Sequence, residues 1–298
     1  MKLIRPMTVT SAMLTSSTVA ETVSLYNAGT TYALGATVRQ DAADGSWLYE
    51  SLVAGESGNA LTNTAKWLAK GATNRWKVFD GSVSSQTENA DEIEYVIEAT
   101  GRVDTIAILN VDASSVQVVA EDATDGEIYN ETFSLVSPSG VSDIFAWLTE
   151  PIERLADIEI SGLPTLYAGL TYTITINAPG ATAKVGAIVL GLSKDIGGTQ
   201  YGAQVEITDY SVKGTDDFGN ITVIERAYAK RANFNVWVES GLVDQVQVLL
   251  ARYRATPIVY SGSSAYGSTL IYGFFRDASV EIAGPNRSML TIKIEGLT

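Results

Sequence analysis

The chain has 298 residues, 46% of them hydrophobic and 18% charged, enough for about two to three folded domains with real cores. Its 20 basic and 34 acidic residues leave a net charge of −14, which repels nucleic-acid phosphate and anionic membrane surfaces. It has no cysteine and no histidine, which excludes disulfides, Ser–His and Cys–His nucleophilic catalysis and the usual zinc sites.

Residues 1–23 place Lys2 and Arg5 ahead of a small-residue stretch, as a secretion signal does. Thr8, Thr10, Ser11, Thr15, Ser16 and Ser17 interrupt any apolar region, so the stretch reads as a polar N-terminal arm that needs a partner to be ordered. No run of about 18 apolar residues predicts a membrane-spanning helix.

Residues 24–79 are rich in aromatics (Tyr26, Tyr32, Trp47, Tyr49, Trp67, Trp76, Phe79) and closely punctuated by glycine. This predicts a small module of very short strands whose core is built from rings. Trp47 and Tyr49 stand two apart in "DGSWLYES" and share one face of an ideal strand. The same rings fit a platform for a sugar ring, so core and ligand platform both stay open for Trp47, Tyr49, Tyr32 and Trp67.

Residues 80–200 carry about seven strand-like segments at regular spacing, from "IEYVIEA" (93–99) to "AKVGAIVLGL" (183–192). "TYTITINA" (171–178) alternates Tyr172, Ile174 and Ile176 with threonines. The expectation is an antiparallel β-sandwich or jelly roll, with a helical turn within 142–156 that Pro151 breaks.

Residues 201–298 read as an α+β unit. "GTDDFGN" (214–220) predicts a hairpin turn between two long strands. Leu242, Val246, Leu249, Leu250 and Tyr253 fall at helical spacing, and Pro257 ends that helix. Three more strands follow, so the expected fold is mainly β, with one helix on the C-terminal antiparallel strands.

Candidate chemistry is sparse. Acids cluster at 91–94, 121–127 and 215–219, where a glycosidase would need two carboxyls across a cleft. With 34 acids in the chain, these read as solvated turns. "DAADG" (41–45) and "DATDGE" (122–127) offer close oxygens for calcium but match no EF-hand. "GTQYGAQ" (198–204) lacks the ending of a phosphate loop. Arg226, Lys230 and Arg231 beside Tyr228 and Phe234 read as a salt-bridged strand or subunit contact in so acidic a chain. No catalytic residue, metal or cofactor is nominated.

Two resemblances follow from these residues. Residues 24–70 resemble a chitin-binding-type carbohydrate-binding module through Tyr32, Gly35, Val38, Gly45, Tyr49 and Trp67. Leu52 and Val53 stand where that family usually carries its stacking aromatics, so Trp47 is the ring expected to meet a sugar first. More broadly, "TNRWKVFDGSVSSQT" (73–87), "TQYGAQVEITDYSVKGTDDFGN" (199–220), "VIERAYAKR" (223–231), "YGFFRDASVEI" (272–282) and "IEGLT" (294–298) resemble a tailed-bacteriophage minor tail or tail-tip protein. That resemblance implies a non-enzymatic structural component of the virion tail, made in the host cytoplasm. Its implied partners are other tail proteins, further copies of itself as a symmetric homo-oligomer, and host surface polysaccharide, without nucleic acid or membrane insertion. The implied divisions are an arm (1–23), a carbohydrate-binding-like module (24–79), a sandwich (80–200) and an assembly unit (201–298). The alternatives are a free lectin-like protein and a glycoside hydrolase.

Overall fold

A computed structural model describes residues 1–136, 143–149, 153–167, 169–215 and 218–298. The fold is mainly β and antiparallel, as expected. Among the described residues no helix is long and apolar enough to cross a membrane.

One sheet has five strands, in the order Leu14–Ser17, Thr87–Glu98, Thr171–Val185, Ser115–Asp122 and Gly126–Ser134. Strict alternation drives it. Ile93, Tyr95, Ile97, Val116, Val118, Ala120, Tyr172, Ile174 and Ile176 all point inward and are fully buried. Burying each large side chain contributes about 1.5–3 kcal/mol, which sets the register because a one-residue slip would expose them all.

The larger sheet runs Ile158–Ser161, Thr105–Leu109, Ala187–Asp195, Lys2–Pro6, Ile258–Ser261, Leu270–Glu281, Arg287–Gly296, Tyr228–Glu239 and Gly198–Thr199. Gln204–Asp209 pairs beside the last of these on Tyr228–Glu239. The sheet therefore draws strands from both sides of residue 200. It also curls. Asp157, at the foot of the first strand, ion-pairs with Lys230 of the eighth, and Glu159 of the first strand meets Lys2 of the fourth at 3.1 Å.

Ile106, Ile108, Ile188 and Leu190 face the five-stranded sheet and close the sandwich. Their neighbours Ala107, Leu109, Ala187 and Val189 face the opposite side with Ile4, Val259 and Leu270. Burial on both faces explains why "TIAIL" and "AIVL" are continuous apolar runs and not alternating ones. At Gly186 the chain leaves one sheet for the other, between Thr171–Val185 and Ala187–Asp195. A Cβ there would sit 2.2 Å from the Val83 carbonyl oxygen, so only glycine passes.

The N-terminal residues behave differently from a loose arm. Lys2–Pro6 lies in the middle of the large sheet, pairing with Ala187–Asp195 and Ile258–Ser261. Leu14–Ser17 edges the other sheet, and Val9, Met13 and Val19 are buried in the sandwich core. Their apolar side chains find the partner the sequence asks for within the same chain.

The C-terminal helix covers Val243–Arg252, with Val246 and Leu250 against Leu3, Phe234, Val236 and Ile292. The other predicted helical turn is Ile144–Thr149. Pro151, expected to break it, lies outside the described residues, as do Asp216 and Asp217 of the hairpin turn. The two long strands expected around that turn are each split in two. They form Gln204–Asp209 and Val212–Thr215 on one side, and Ile221–Ile224 and Tyr228–Glu239 on the other.

Candidate functional site

The small module is a three-stranded sheet of Thr37–Ala42, Gly45–Ser51 and Trp67–Ala72. It has its own core of Val38, Leu61 and Trp67, on which Tyr26, Tyr32 and Tyr49 pack half-buried. Trp67 is only 2% exposed. Tyr26 and Tyr32 meet its ring edge-on, with centroids 5.6 and 5.4 Å away, and stack on each other at 5.9 Å. Tyr26 Oη donates to the Asn59 carbonyl at 2.6 Å, and Tyr32 Oη accepts from the Asn27 amide at 2.8 Å. Of the four candidate rings, Trp67 thus sits at the centre of the module's core, with Tyr32 and Tyr49 as its walls.

Trp47 is placed elsewhere. Its half-buried ring packs against the main sandwich core, where the module joins the body. Gly45 lets it do so. With φ at +133°, Gly45 runs over the ring of Trp76, and a Cβ there would come within 2.9 Å of that ring. Residues 73–79 then fasten the module down. Arg75 Nε donates to the Val19 carbonyl at 2.7 Å, and Tyr95 Oη donates to the Arg75 carbonyl at 2.7 Å.

At this junction Trp47 lines a cavity of about 360 Å³ with Asp44, Phe79, Asp80, Met7 and Tyr272. Small ligands occupy cavities of roughly 300–1,000 Å³. The Trp47 Nε1 donates to Asp44 at 3.4 Å. Asp80 accepts from the Ser82 amide at 2.7 Å and from Ser85 Oγ at 2.9 Å, which fixes its carboxylate. Burial raises the Asp80 carboxyl above its ordinary value, against those two hydrogen bonds and the nearby Lys77 charge. Burial, and then the Asp80 charge, raise the Tyr272 phenol. No lysine or arginine lines the cavity.

The chemistry of this set is definite. Indole and phenyl faces receive apolar C–H surfaces, and carboxylates and a phenol accept or donate hydrogen bonds at the rim. A pyranose presents both kinds of surface. Asp80 and Tyr272 come from "FDGS" and "LIYG", distant in sequence, and neither stood out beside Trp47 before the fold joined them.

Among the other acidic candidates, Asp91 of 91–94 and Asp122 of 121–127 brace backbone amides, and Asp216 and Asp217 lie outside the described residues. Asp91 accepts from the Gly180 amide, and Asp122 caps its own turn through the Thr124 and Asp125 amides. Among the described residues no group of three or more acidic side chains is placed to hold a metal ion. Arg231 pairs with Glu295, and Lys230 with Asp157, as a salt-bridged strand would.

No family model matches the chain. No curated protein matches it either. Among solved structures it is similar to the lectin domain of lectinolysin in complex with Lewis b antigen, at 14% identity and a TM-score of 0.27, over 39% of this chain and 82% of that one. It is similar to a fucose-binding module of Streptococcus pneumoniae, at 13% identity and a TM-score of 0.28, over 40% and 85%. A third is a chitosan-binding module from a Paenibacillus chitosanase/glucanase, at 12% identity and a TM-score of 0.26, over 40% and 84%. These neighbours are carbohydrate-binding modules.

Proposed function

We propose that the protein is a non-enzymatic component of a bacteriophage tail that contacts host surface glycan. The Trp47 cavity carries the glycan part, because it brings aromatic side chains together with two carboxylates, that of Asp80 held by hydrogen bonds, and a phenol at the size of a small-ligand site. The tail part rests on the sequence resemblance over residues 73–298. In this reading residues 201–298 anchor the protein among other tail proteins. One site binds weakly, and multiple copies on one particle raise the avidity by about 10²–10⁴.

The glycan part is tested by a glycan array with the full chain and with Trp47→Ala. Loss of binding in a folded variant supports it; equal binding by both sinks it. The tail part is tested by locating the protein in purified particles by electron microscopy. Its absence from the particle leaves the free lectin, which accounts for the cavity equally well.

A second reading is a glycoside hydrolase, favoured by one observation: Asp44 and Asp80 line the same cavity and the Asp80 carboxyl is raised. Release of reducing ends that Asp80→Asn abolishes would replace the non-enzymatic reading.

A further inference from the structure

"GTQYGAQ" (198–204) has no part in the junction cavity, yet it supplies one wall of a second cavity, of about 500 Å³, that shares no lining residue with the first. The other wall is the 262–269 turn, which joins Ile258–Ser261 to Leu270–Glu281. Three strands separate Ile258–Ser261 from Gly198–Thr199 in the pairing order of the large sheet. The curl brings the two walls together, and Thr199 Oγ1 donates to the Gly262 carbonyl at 2.5 Å between them.

Both walls are held in place. Thr269 is buried, and its Oγ1 accepts from the Ser263 amide at 3.0 Å and donates to the Tyr266 carbonyl at 2.7 Å. Gly262 lies against the ring of Phe234, where a Cβ would come within 2.6 Å. On the other wall the Gln200 backbone amide donates to the Asn235 carbonyl at 2.8 Å. Fixed walls suit binding, because little ordering is left to be done on association. Two exposed rings, Tyr201 and Tyr266, line the cavity beside Gln200, Ser263 and Ser268. Among the described residues the side chains of Gln200, Ser268, Tyr201 and Tyr266 make no hydrogen bond.

We infer that this cavity is a second glycan site, one that takes neutral sugars. It goes beyond the reading above and does not rest on the Trp47 cavity. Charge narrows the ligand first. A chain of −14 repels anions, and no lysine or arginine lines this cavity to offset that. No carboxylate lines it to hold a cation either. An uncharged ligand is left, held by hydrogen bonds and apolar contact. Hydroxyl and amide side chains both donate and accept, as the hydroxyls of a sugar do. Phenol rings receive the C–H faces of a pyranose. The volume falls within the roughly 300–1,000 Å³ of small-ligand sites. The first cavity differs, because the carboxylates of Asp44 and Asp80 line it. The two sites therefore rank glycans differently, and a chain that carries both gains avidity on a mixed surface.

The test is an array of neutral and acidic glycans, probed with the full chain as wild type, Trp47→Ala, Tyr201→Ala/Tyr266→Ala and Ser268→Trp. The double tyrosine variant is expected to bind about tenfold more weakly to a set of neutral glycans that Trp47→Ala still binds. Ser268→Trp crowds the same cavity with both tyrosines intact and should weaken the same set. Thermal midpoints should not move, because all three side chains are exposed. Binding to this set should change little from low to high salt, since no charge takes part. The inference is overturned if the double variant matches the wild type on every neutral glycan, if the set it loses is acidic, or if Trp47→Ala alone abolishes all binding. A wild type that binds no neutral glycan overturns it as well. A Trp47→Ala variant that loses nothing would sink the first site and leave this one standing.

Discussion

Trp47 and Tyr49, two residues apart on one strand, belong to different cores. Tyr49 packs on Val38, Leu61 and Trp67 inside the small module, and Trp47 packs on the sandwich core at the junction. The pairing of this strand with Trp67–Ala72 shifts between Leu48 and Tyr49, at the point where the two rings part. The two residues should therefore fail differently. Tyr49→Ala should destabilise the module by roughly 1–3 kcal/mol and open it to protease. Trp47→Ala should leave the module protease-resistant and remove glycan binding. Limited proteolysis and the array, run on both variants, read the difference.

Trp67 holds the module together. Trp67→Ala should cost about 3–5 kcal/mol, more than so small a core can absorb. Residues 24–72 should then become cleavable while 73–298 resist. Trp67→Phe should be milder, because the Nε1 of Trp67 has no hydrogen-bond partner to lose. Protease mapping of the two variants gives the order.

Ile4 tests whether the N-terminal strand is integral. It is fully buried between Val259 and the apolar side of Ala187–Asp195. Ile4→Ala should lower stability by about 2–5 kcal/mol, seen as a fall in the urea midpoint of the main transition. A loosely docked arm would show almost no change.

Asp80 gives a pH signature. Its folded carboxyl is raised above the ordinary 3.8, with burial as the main cause. Its contribution to stability is therefore fully present below 3.8 and is lost as pH rises through the folded value. Asp80→Asn removes that loss. Relative to wild type, the variant should gain stability between about pH 4 and about pH 7. Urea midpoints at both values measure it, and a gain toward acid would contradict the sign.

Much of the fold was legible in the chain. "TYTITINA" alternates because one face of Thr171–Val185 is core, and the Val243–Arg252 helix shows in its leucine and valine spacing. The ring-built module shows in the aromatic density of residues 24–79. What escaped the sequence was pairing between distant segments. Nothing local in "KLIRP" says that it lies mid-sheet between two strands nearly 200 and more than 250 residues away.

The candidate site divides in the same way. Trp47 was visible as a ring beside a turn. Its neighbours Asp80 and Tyr272 were not, since they reach it only after the module docks and the large sheet curls. Periodicity records which face of a strand meets apolar surroundings, because each side chain's burial is selected position by position. It does not record which surroundings those are. That choice belongs to long-range pairing, which sent Trp47 to the junction cavity and Tyr49 to the module core.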